Sequence, residues 1–267
     1  MKIRYRHYAG FCFRWLRANG IAITANDHRV ASLKDKYKGR RCFIIGNGPS
    51  LRITDLDKLK NEITFASNKI YLAFDQTQWR PTYYSVIDVL VAENNRSEIN
   101  ELNLFKVFGE TVRPYFRKAK DILWLKMLRA PGFNRNYAGR FSTNALKGVY
   151  GGASVVYSQI QFAFYLGIKE VYLIGVDYSF EVPKPTGQQC ESGEILEHRG
   201  ENNHFHPEYR KLGERWTTPL LDLQYKAYLA ANATFTEHGG KIYNASRKTA
   251  LDVFTQVNFD HIIAKID

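Results

Sequence analysis

The sequence predicts an α/β fold built on a doubly wound, mostly parallel sheet. From residue 41 onward, short apolar runs alternate with helical stretches, which is typical of parallel strands joined by crossover helices. One segment, KEVYLIGVD (169–177), contains the unbroken apolar run expected of a strand covered on both faces. With 267 residues and 45% hydrophobic content, the chain is long enough to bury one large core. We therefore predict a single Rossmann-like domain over residues 38–267, preceded by a basic helical segment over residues 1–37.

The elements of this domain follow in order along the chain. Strands are predicted at RCFIIG (41–46), EITFASN (62–68), TYYSVID (82–88), DILWL (121–125), KEVYLIGVD (169–177) and KIYNAS (241–246). A buried helix is predicted over 151–167, and an amphipathic helix over 220–238 that stops at Gly239. The segment Thr54-Asp55-Leu56-Asp57 resembles a capping box that opens a short helix after the first strand. The polar region from about 179 to 219 reads as a long loop.

Most of the positive charge lies near the N-terminus. The formal net charge is +12, and residues 1–41 hold eleven Lys or Arg against two acidic residues. Arginines interleave with aromatic residues over 1–20, as in an amphipathic segment on an anionic membrane surface. A helix docked on the domain is the alternative. Nucleic acid is not expected as a partner, because no recognition module accompanies the charge.

Cysteine usage and hydropathy indicate the compartment. Cys12, Cys42 and Cys190 lack the spacing of metal ligands and cannot all pair, which favours a reducing environment. The sequence contains no run of 18 apolar residues, so no transmembrane helix is predicted. Arginines interrupt the apolar residues at the N-terminus, so no signal peptide is predicted either. We expect a cytoplasmic protein that acts at the inner face of the membrane if residues 1–20 bind lipid.

A glycine-bearing loop follows the first strand. It consists of Gly46, Asn47, Gly48, Pro49 and Ser50. A P-loop would need a lysine after the last of these residues, and a dinucleotide fingerprint would need a third glycine there, but Leu51 occupies that position. The loop therefore matches neither motif, although simple turn chemistry would also account for its composition.

Small polar residues also follow the other predicted strands. They are Asn68, Asp88, Asp177 and Asn244. Ligands of open α/β sheets bind outside the carboxyl ends of the strands, where side-chain amides and glycine loops can form a polar pocket. The sequence thus predicts a nucleotide site at this edge.

The long polar segment ENNHFHPEYRKLGERW (201–216) contains two candidate bases, His204 and His206. Long loops in a compact domain are commonly functional, and a neutral histidine can take a proton from an attacking hydroxyl. A structural role is the alternative, and a metal site including His198 is not predicted, since no cysteine or acidic partner stands at matching spacing. The D-x-D pattern of Asp55 and Asp57 is interpreted as helix capping rather than metal binding.

Several segments together resemble the MptE-like family over residues 38–260. They are FIIGNGPSL, ITFASNKIYLAF, PTYYSVID, KGVYGGASVVYSQIQFAFYLGIKEVYLIGVDYSF, NHFHPEY and KIYNAS. The resemblance implies one of two activities, because that family includes a 6-hydroxymethylpterin pyrophosphokinase and branches associated with bacterial surface glycans that are taken to be glycosyltransferases.

The chain also resembles the bacterial family 42 sialyltransferases, which implies a glycosyltransferase-A-like variant of the fold and chemistry without a metal cofactor. By this resemblance Asn47, its flanking glycines and Asn68 would contact the nucleotide-sugar, and Gly152 and Ser154 would start a helix near the phosphate. The catalytic base would be His206 or His204. Tyr178 would stabilise the leaving phosphate, but Phe180 stands where a second tyrosine is expected, which leaves the identity of the sugar open.

The favoured expectation is a metal-independent glycosyltransferase that uses a CMP-sialic-acid-like donor and a glycan or lipid-linked acceptor in surface polysaccharide synthesis. The first alternative is diphosphate transfer from ATP, for which Asp88 and Asp177 would hold Mg²⁺. A non-catalytic nucleotide-binding module is the second alternative. Homo-oligomerisation is left open.

Overall fold

The computed structural model describes residues 15–17, 19–116, 121–128, 139–190 and 193–264. Its strands are β1 Arg41–Ile45, β2 Thr64–Ser67, β3 Tyr83–Val86, β4 Lys106–Gly109, β5 Leu123–Leu125, β6 Met127–Leu128, β7 Val149–Tyr150, β8 Glu170–Ile174, β9 Gln189–Cys190, β10 Gly193–Glu197, β11 Arg215–Thr217, β12 Lys241–Asn244 and β13 Thr255–Gln256. Its α-helices are α1 Ala25–Ala31, α2 Ile53–Asp57, α3 Val89–Asn94, α4 Arg96–Glu101, α5 Val155–Tyr165, α6 Leu221–Glu237 and α7 Phe259–Ala264. Three 3₁₀ helices span Asn68–Ala73, Glu110–Phe116 and Pro207–Tyr209.

An eight-stranded sheet forms the centre of the molecule, in the order β13-β12-β8-β1-β2-β3-β4-β5. All its neighbouring strands run parallel. The chain builds β1 to β5 in one direction and then returns to the other side of β1 with β8. The strand order therefore reverses between β1 and β8, as in a doubly wound fold. This arrangement confirms the fold class that the sequence predicts.

Both faces of the sheet are buried, because successive side chains of a strand point to opposite faces. In β1, Cys42 and Ile44 belong to one core, and Phe43 and Ile45 belong to the other. Residues of α1, α5 and α6 pack in the first core, whereas residues of α2, α4, α7 and the first 3₁₀ helix pack in the second. Each such large apolar side chain contributes about 1.5–3 kcal/mol on burial, so these short strands are fixed mainly by their apolar runs.

Helix α5 lies almost wholly within the protein. Its two glutamines are buried and bind backbone groups that strands and loops leave unpaired. Gln159 donates to the carbonyl of Ala66 in β2 at 2.9 Å, and Gln161 accepts from the N–H groups of Ser142 and Tyr150, both at 3.0 Å. These bonds fix where the start of α5 lies relative to the end of β2.

Helix α2 differs from its prediction. It begins at Ile53 with Arg52 as its N-cap, and no side chain caps it, so the predicted capping box at Thr54 is wrong. Asp55 instead accepts two hydrogen bonds from Arg247, each of 2.7 Å. A bidentate hydrogen bond to a guanidinium is stronger than a capping bond, so the carboxylate of Asp55 binds the distant Arg247 instead of capping the helix.

The polar region at 179–219 was expected to be a loop but contains a small antiparallel sheet in the order β11-β10-β9. Its strands are short and rich in charged residues, so their alternation is weak in the sequence. Strand β4 was also missing from the prediction, since only four residues, KVFG, carry it. The strands predicted at 41–46, 62–68, 82–88, 121–125, 169–177 and 241–246 are found.

The predicted amphipathic segment over 1–20 lies mostly outside the described residues. Of its described part, Arg17 pairs with Asp27 at 3.2 Å and with Glu110 at 3.0 Å. The side chain of Asn26 in α1 exchanges two 2.8 Å hydrogen bonds with the backbone of Trp124, which covers edge strand β5. None of the described helices combines the length and the hydrophobicity needed to cross a membrane.

Replacing Gly46 with alanine should lower the free energy of unfolding by about 3 kcal/mol, because overpacking against a fixed backbone is costly. The new methyl carbon would lie 2.3 Å from the carbonyl oxygen of Gly175. Gly151→Ala is the matched control, since its new carbon would meet only the methyl carbon of Met127, at 3.7 Å. Urea unfolding measures both variants, and equal losses of stability would contradict a tight contact at Gly46.

Candidate functional site

A cleft with an empty volume of about 650 Å³, part of it open solvent, lies at the carboxyl ends of β1, β2 and β8, where the strand order reverses. Open α/β sheets bind their ligands at this position. The cleft is lined by Gly46, Asn47, Gly48, Ser67, Asn68, Ser154, Val155, Val156, Gly175, Val176, Asp177, Tyr178, Ser179, Phe180, Asn203, His204, Tyr209, Gln224 and Tyr228.

The loops after β1 and β8 interlock beneath the cleft. The N–H of Gly48 donates to the carbonyl of Gly175 at 2.9 Å, and the N–H of Ser50 donates to Oδ2 of Asp177 at 2.7 Å. The hydroxyl of Ser50 donates to the other carboxylate oxygen. Only glycine fits at Gly48, where a Cβ would lie 2.7 Å from Cγ of Asp177. Burial raises the pKa of Asp177, while the two bonds from Ser50 act against that rise.

Three buried polar atoms beside the cleft lack a hydrogen-bond partner in the described structure: Oδ1 of Asn47, Oγ of Ser67 and Oδ1 of Asn68. The amide nitrogen of Asn47 is already used, since it donates to the carbonyl of Ser67 at 3.1 Å. Buried polar atoms without partners are uncommon in native proteins and each calls for an explanation. Their position at the ends of β1 and β2 indicates a ligand that donates hydrogen bonds there.

The N-terminus of α5 forms another part of the cleft wall. Ser154 caps the helix, and its hydroxyl oxygen accepts from the N–H of Val156 at 3.3 Å and from the hydroxyl of Tyr228 at 3.2 Å. Gly152, with φ of +53°, packs under the ring of Tyr157, where a Cβ would lie 2.2 Å from Cδ1. The positive end of the helix dipole therefore faces the cleft, as at phosphate-binding sites.

Backbone strain is concentrated around the cleft. Of the four non-glycine residues with positive φ in the described ranges, Asn68, Ala153 and Tyr178 border the cleft, and only Asp35 lies elsewhere. Each costs of order 1–3 kcal/mol, and such residues cluster at functional sites. The hydroxyl of Tyr178 donates to the carbonyl of Leu221 at 2.5 Å, so it fixes the start of α6 in this structure.

The histidine-bearing loop closes one side of the cleft. The N–H of Phe205 donates to the carbonyl of Asn47 at 3.0 Å, which docks this loop on the glycine loop. The ring of His204 lines the cleft and stacks on the ring of Tyr209, with centroids 3.7 Å apart and planes 5° from parallel. Burial, assisted by the positive charge of Arg210, lowers the pKa of His204 well below its ordinary value. A neutral imidazole therefore faces the cleft at neutral pH.

Several residues predicted from the sequence lie outside the cleft lining. His206 caps the last 3₁₀ helix, where its Nδ1 accepts from the N–H of Glu208 at 3.2 Å. Asp88 caps α3 and accepts from the N–H groups of Leu90 at 2.8 Å and Val91 at 3.1 Å. Pro49, Ser50 and Gly152 are also outside the lining. The residues that the structure brings together in the lining are Gly46, Asn47, Gly48, Asn68, Ser154, Asp177, Tyr178 and His204.

Asp88 and Asp177, the two carboxylates considered for Mg²⁺, do not converge on one site. Only Asp177 lines the cleft, and both of its oxygens already accept hydrogen bonds from Ser50. Across the described ranges, no three His, Cys, Asp or Glu side chains gather where they could hold a metal ion.

Sequence reasoning missed several polar residues of the lining, among them Asn203, Gln224 and Tyr228. Asn203 holds the loops together through two hydrogen bonds with the backbone of Glu181, at 2.7 and 2.8 Å. Gln224 donates to the carbonyl of Ala153 at 3.0 Å, and Tyr228 follows it by one helical turn in α6. A signal was present, because Gln224 and Tyr228 stand on the buried face of α6, whose other residues are apolar.

A family model described as "6-hydroxymethylpterin diphosphokinase MptE-like" matches residues 19–183. Among solved structures, the MAf glycosyltransferase from Magnetospirillum magneticum AMB-1 is similar, with a TM-score of 0.50 and 15% identity over 90% of this chain. This chain spans only 40% of that protein's length. The likeness supports the α/β fold. A search of curated proteins gives no significant match.

Two further structures are of the sialyltransferase CstII from Campylobacter jejuni. The complex with cytidine-5'-monophosphate has a TM-score of 0.44 and 15% identity, over 82% of this chain and 85% of that one. The complex with CMP-3FNeuAc has a TM-score of 0.43 and 15% identity, over 82% of this chain and 86% of that one.

The buried environment of His204 should make stability depend on pH. Its folded-state pKa is lowered, so below about pH 6.5 the unfolded chain binds the additional proton, and the free energy of unfolding falls as pH falls. His204→Phe keeps a ring on Tyr209 and should remove up to about 1.4 kcal/mol per pH unit of this slope.

Urea unfolding at several values between about pH 5 and about pH 7.5 measures the slope. His206→Asn, which keeps a side chain suited to an N-cap, serves as the control and should retain the slope of the wild type. Identical slopes in the wild type and His204→Phe would contradict the assignment.

Proposed function

The chain belongs to the MptE-like family, and we propose that it is a metal-independent glycosyltransferase that takes its sugar from a nucleotide-activated donor. One observation carries the proposal. The cleft combines unpartnered polar side-chain atoms at the ends of β1 and β2 with the start of helix α5. A nucleotide offers the complementary groups, since its base and ribose carry N–H and O–H donors and its phosphate carries negative charge.

The proposed donor lies with its base and ribose near Asn47, Ser67 and Asn68 and with its phosphate near Ser154. The favoured donor is a CMP-activated acidic sugar, because the loop GNGPSL and the segment FASNKIYL resemble those of family 42 sialyltransferases. The basic segment over residues 1–20 would hold the enzyme close to a lipid-linked or membrane-bound acceptor.

In the proposed reaction, an acceptor hydroxyl attacks the anomeric carbon of the donor sugar. His204 removes the hydroxyl proton, a new carbon–oxygen bond forms, and the bond from the sugar to the phosphate oxygen breaks. The nucleoside monophosphate leaves with the bonding electron pair. His204 is preferred to His206 because its ring lines the cleft, whereas His206 caps a helix.

The start of α5 supplies the charge stabilisation that a metal gives in other transferases. The leaving phosphate gains negative charge as the bond breaks, and the helix dipole and N–H groups near Ser154 favour that charge. Tyr228, whose hydroxyl binds Oγ of Ser154, holds the cap in position. Tyr178 reaches the phosphate only if its hydroxyl leaves the carbonyl of Leu221.

Diphosphate transfer from ATP to a pterin alcohol is a second candidate, because the description of the family model names it. It would require Mg²⁺ and carboxylates to bind it, and Asp177 is available in the cleft only if it releases Ser50. Turnover that stops in EDTA would favour this candidate, and turnover that continues would favour the glycosyltransferase. Nucleotide binding without any turnover would indicate a non-catalytic module.

His204→Gln should reduce sugar transfer at least about 100-fold, since a general base contributes about 10²–10⁴ in rate. Donor affinity should change little, because the side chain acts on the acceptor hydroxyl. A coupled assay of nucleoside monophosphate release measures transfer, and calorimetry measures donor binding. His206→Gln is the control and should keep most of the activity. Full activity in His204→Gln would contradict the mechanism.

A further inference from the structure

A second groove adjoins the cleft, with an empty volume of about 1,330 Å³ that includes open solvent. Neighbouring residues of the chain line the two spaces: Asn68 lines the cleft and Lys69 the groove, and Tyr209 lines the cleft and Arg210 the groove. The 3₁₀ helix at Asn68–Ala73 and the segment 207–214 form most of the groove. The wall between the two spaces therefore includes Tyr209, on which the proposed base stacks.

Two cations that line this groove are not exposed to solvent, and Lys69 is the first of them. It is only 6% exposed, and its ammonium makes two long contacts, of 3.5 Å to the carbonyl of Glu208 and of 3.7 Å to a carboxylate oxygen of Glu214. Ion pairs of good geometry are shorter, at about 2.7–2.9 Å. Burial lowers the pKa of Lys69, with further lowering by the charges of Lys211 and Arg210. A closer anion would therefore be favourable here.

Arg210 is the second of these cations, and it is partly buried. Its guanidinium lies over the ring of Trp216 with 4.0 Å to the centroid, and its Nη1 is buried with no hydrogen-bond partner in the described structure. Stacking on an aromatic ring fixes the plane of the guanidinium and leaves its edge available. Burial lowers the pKa of Arg210 as well. A buried N–H donor without an acceptor lowers the stability of the protein unless a ligand supplies the acceptor.

The unexposed charges that line the groove are more positive than negative. Glu98, Glu208 and Lys211 are exposed to solvent, so their charges are screened. The charged lining residues that are not exposed are Lys69, Arg210 and Glu214, which gives two cations and one carboxylate. Asp88 and Glu201 lie outside the lining, and their negative charges also act on Arg210.

The remaining lining suits a carbohydrate, because it combines an aromatic ring with polar groups. The ring of Tyr71 lies in the groove, and its hydroxyl donates to the side-chain oxygen of Asn95 at 3.3 Å. Aromatic faces with a few placed polar groups are typical of sites that bind small polar molecules.

We propose that this groove binds an acidic sugar, whose oxyanion is held by Lys69 and Arg210, and that it is the acceptor subsite of the enzyme. The second part rests on the proposed function. An acceptor seated here would lie on the other side of Tyr209 from the nucleotide cleft. Its charged group would be fixed in the groove while a hydroxyl extends toward His204.

Binding of three small sugars to the full chain tests the groove without any nucleotide. The probes are methyl β-glucuronide, glucose 1-phosphate and methyl β-glucoside, which carry a carboxylate, a phosphate and no charge. Saturation-transfer NMR should show binding of at least one charged sugar, about tenfold or more tighter than the neutral one, since a hydrogen bond to a charged group is worth about 1.5–3 kcal/mol. The preferred charged sugar identifies the oxyanion. Equal affinity for all three sugars, or no binding, would overturn the proposal.

Variants then assign the contact to named residues. Arg210→Met and Lys69→Met should each lower the affinity for the charged sugar about tenfold. Arg215→Met removes the same charge from an exposed neighbour outside the groove and should have no effect. Glu214→Gln removes the competing carboxylate and should strengthen binding, which keeps the test informative if a buried-cation variant unfolds. Equal effects of Arg210→Met and Arg215→Met would count against the assignment.

The acceptor role is tested separately. The bound sugar should lower the rate of sugar transfer to a second acceptor while leaving nucleotide affinity unchanged. If the sugar binds but does not compete with the second acceptor, the groove is a sugar site but not the acceptor subsite. If the nucleotide alone fails to bind, the proposed function is contradicted and the sugar site in the groove is not.

Discussion

The architecture depends on the contact between two glycine-bearing loops at the point where the sheet changes direction. Gly46 donates its N–H to the carbonyl of Ile174 at 2.8 Å, and Gly48 donates to Gly175 at 2.9 Å, so the β1–β8 pairing continues past the ends of both strands. The carboxylate of Asp177 then takes both donors of Ser50. Because no Cβ fits at the crossing, the two loops form one rigid floor. Everything that lines the cleft is positioned relative to this floor.

The cleft combines rigidity with incomplete hydrogen bonding, and that combination is the physical basis of the functional argument. Asn47 is held through its amide nitrogen and its carbonyl, yet its side-chain oxygen has no partner in the described structure. Asn68 and Tyr178 adopt left-handed backbone conformations that stability alone would not select. Unsatisfied and strained groups lower stability unless a ligand compensates for them, so their occurrence together beside this opening indicates a binding site. The same reasoning applies to Arg210 in the adjoining groove.

The sequence predicts the fold class well because long apolar runs, such as those of β1 and β8, leave few alternatives. It also places Asn47 and Asn68 at strand ends, where parallel topology brings them together. The sequence does not show whether His204 or His206 faces the cleft. The two histidines lie two residues apart in an irregular loop, and this spacing does not determine which ring faces the cleft and which caps a helix. Asp88 is ambiguous for a similar reason: a carboxylate after a strand can bind a ligand or cap the next helix. Those choices depend on packing between segments far apart in the chain.

Calorimetric titration of cytidine monophosphate in the presence of EDTA tests the central claim most directly. The wild type should bind without metal, and Asn68→Gly should bind about tenfold or more weakly, because it removes the side-chain amide while glycine tolerates the φ of 51°. Asp35→Gly makes the equivalent change at a φ of 55°, away from the cleft, and should bind like the wild type. No metal-free binding by the wild type, or one affinity for all three proteins, would contradict a nucleotide-sugar site in this cleft.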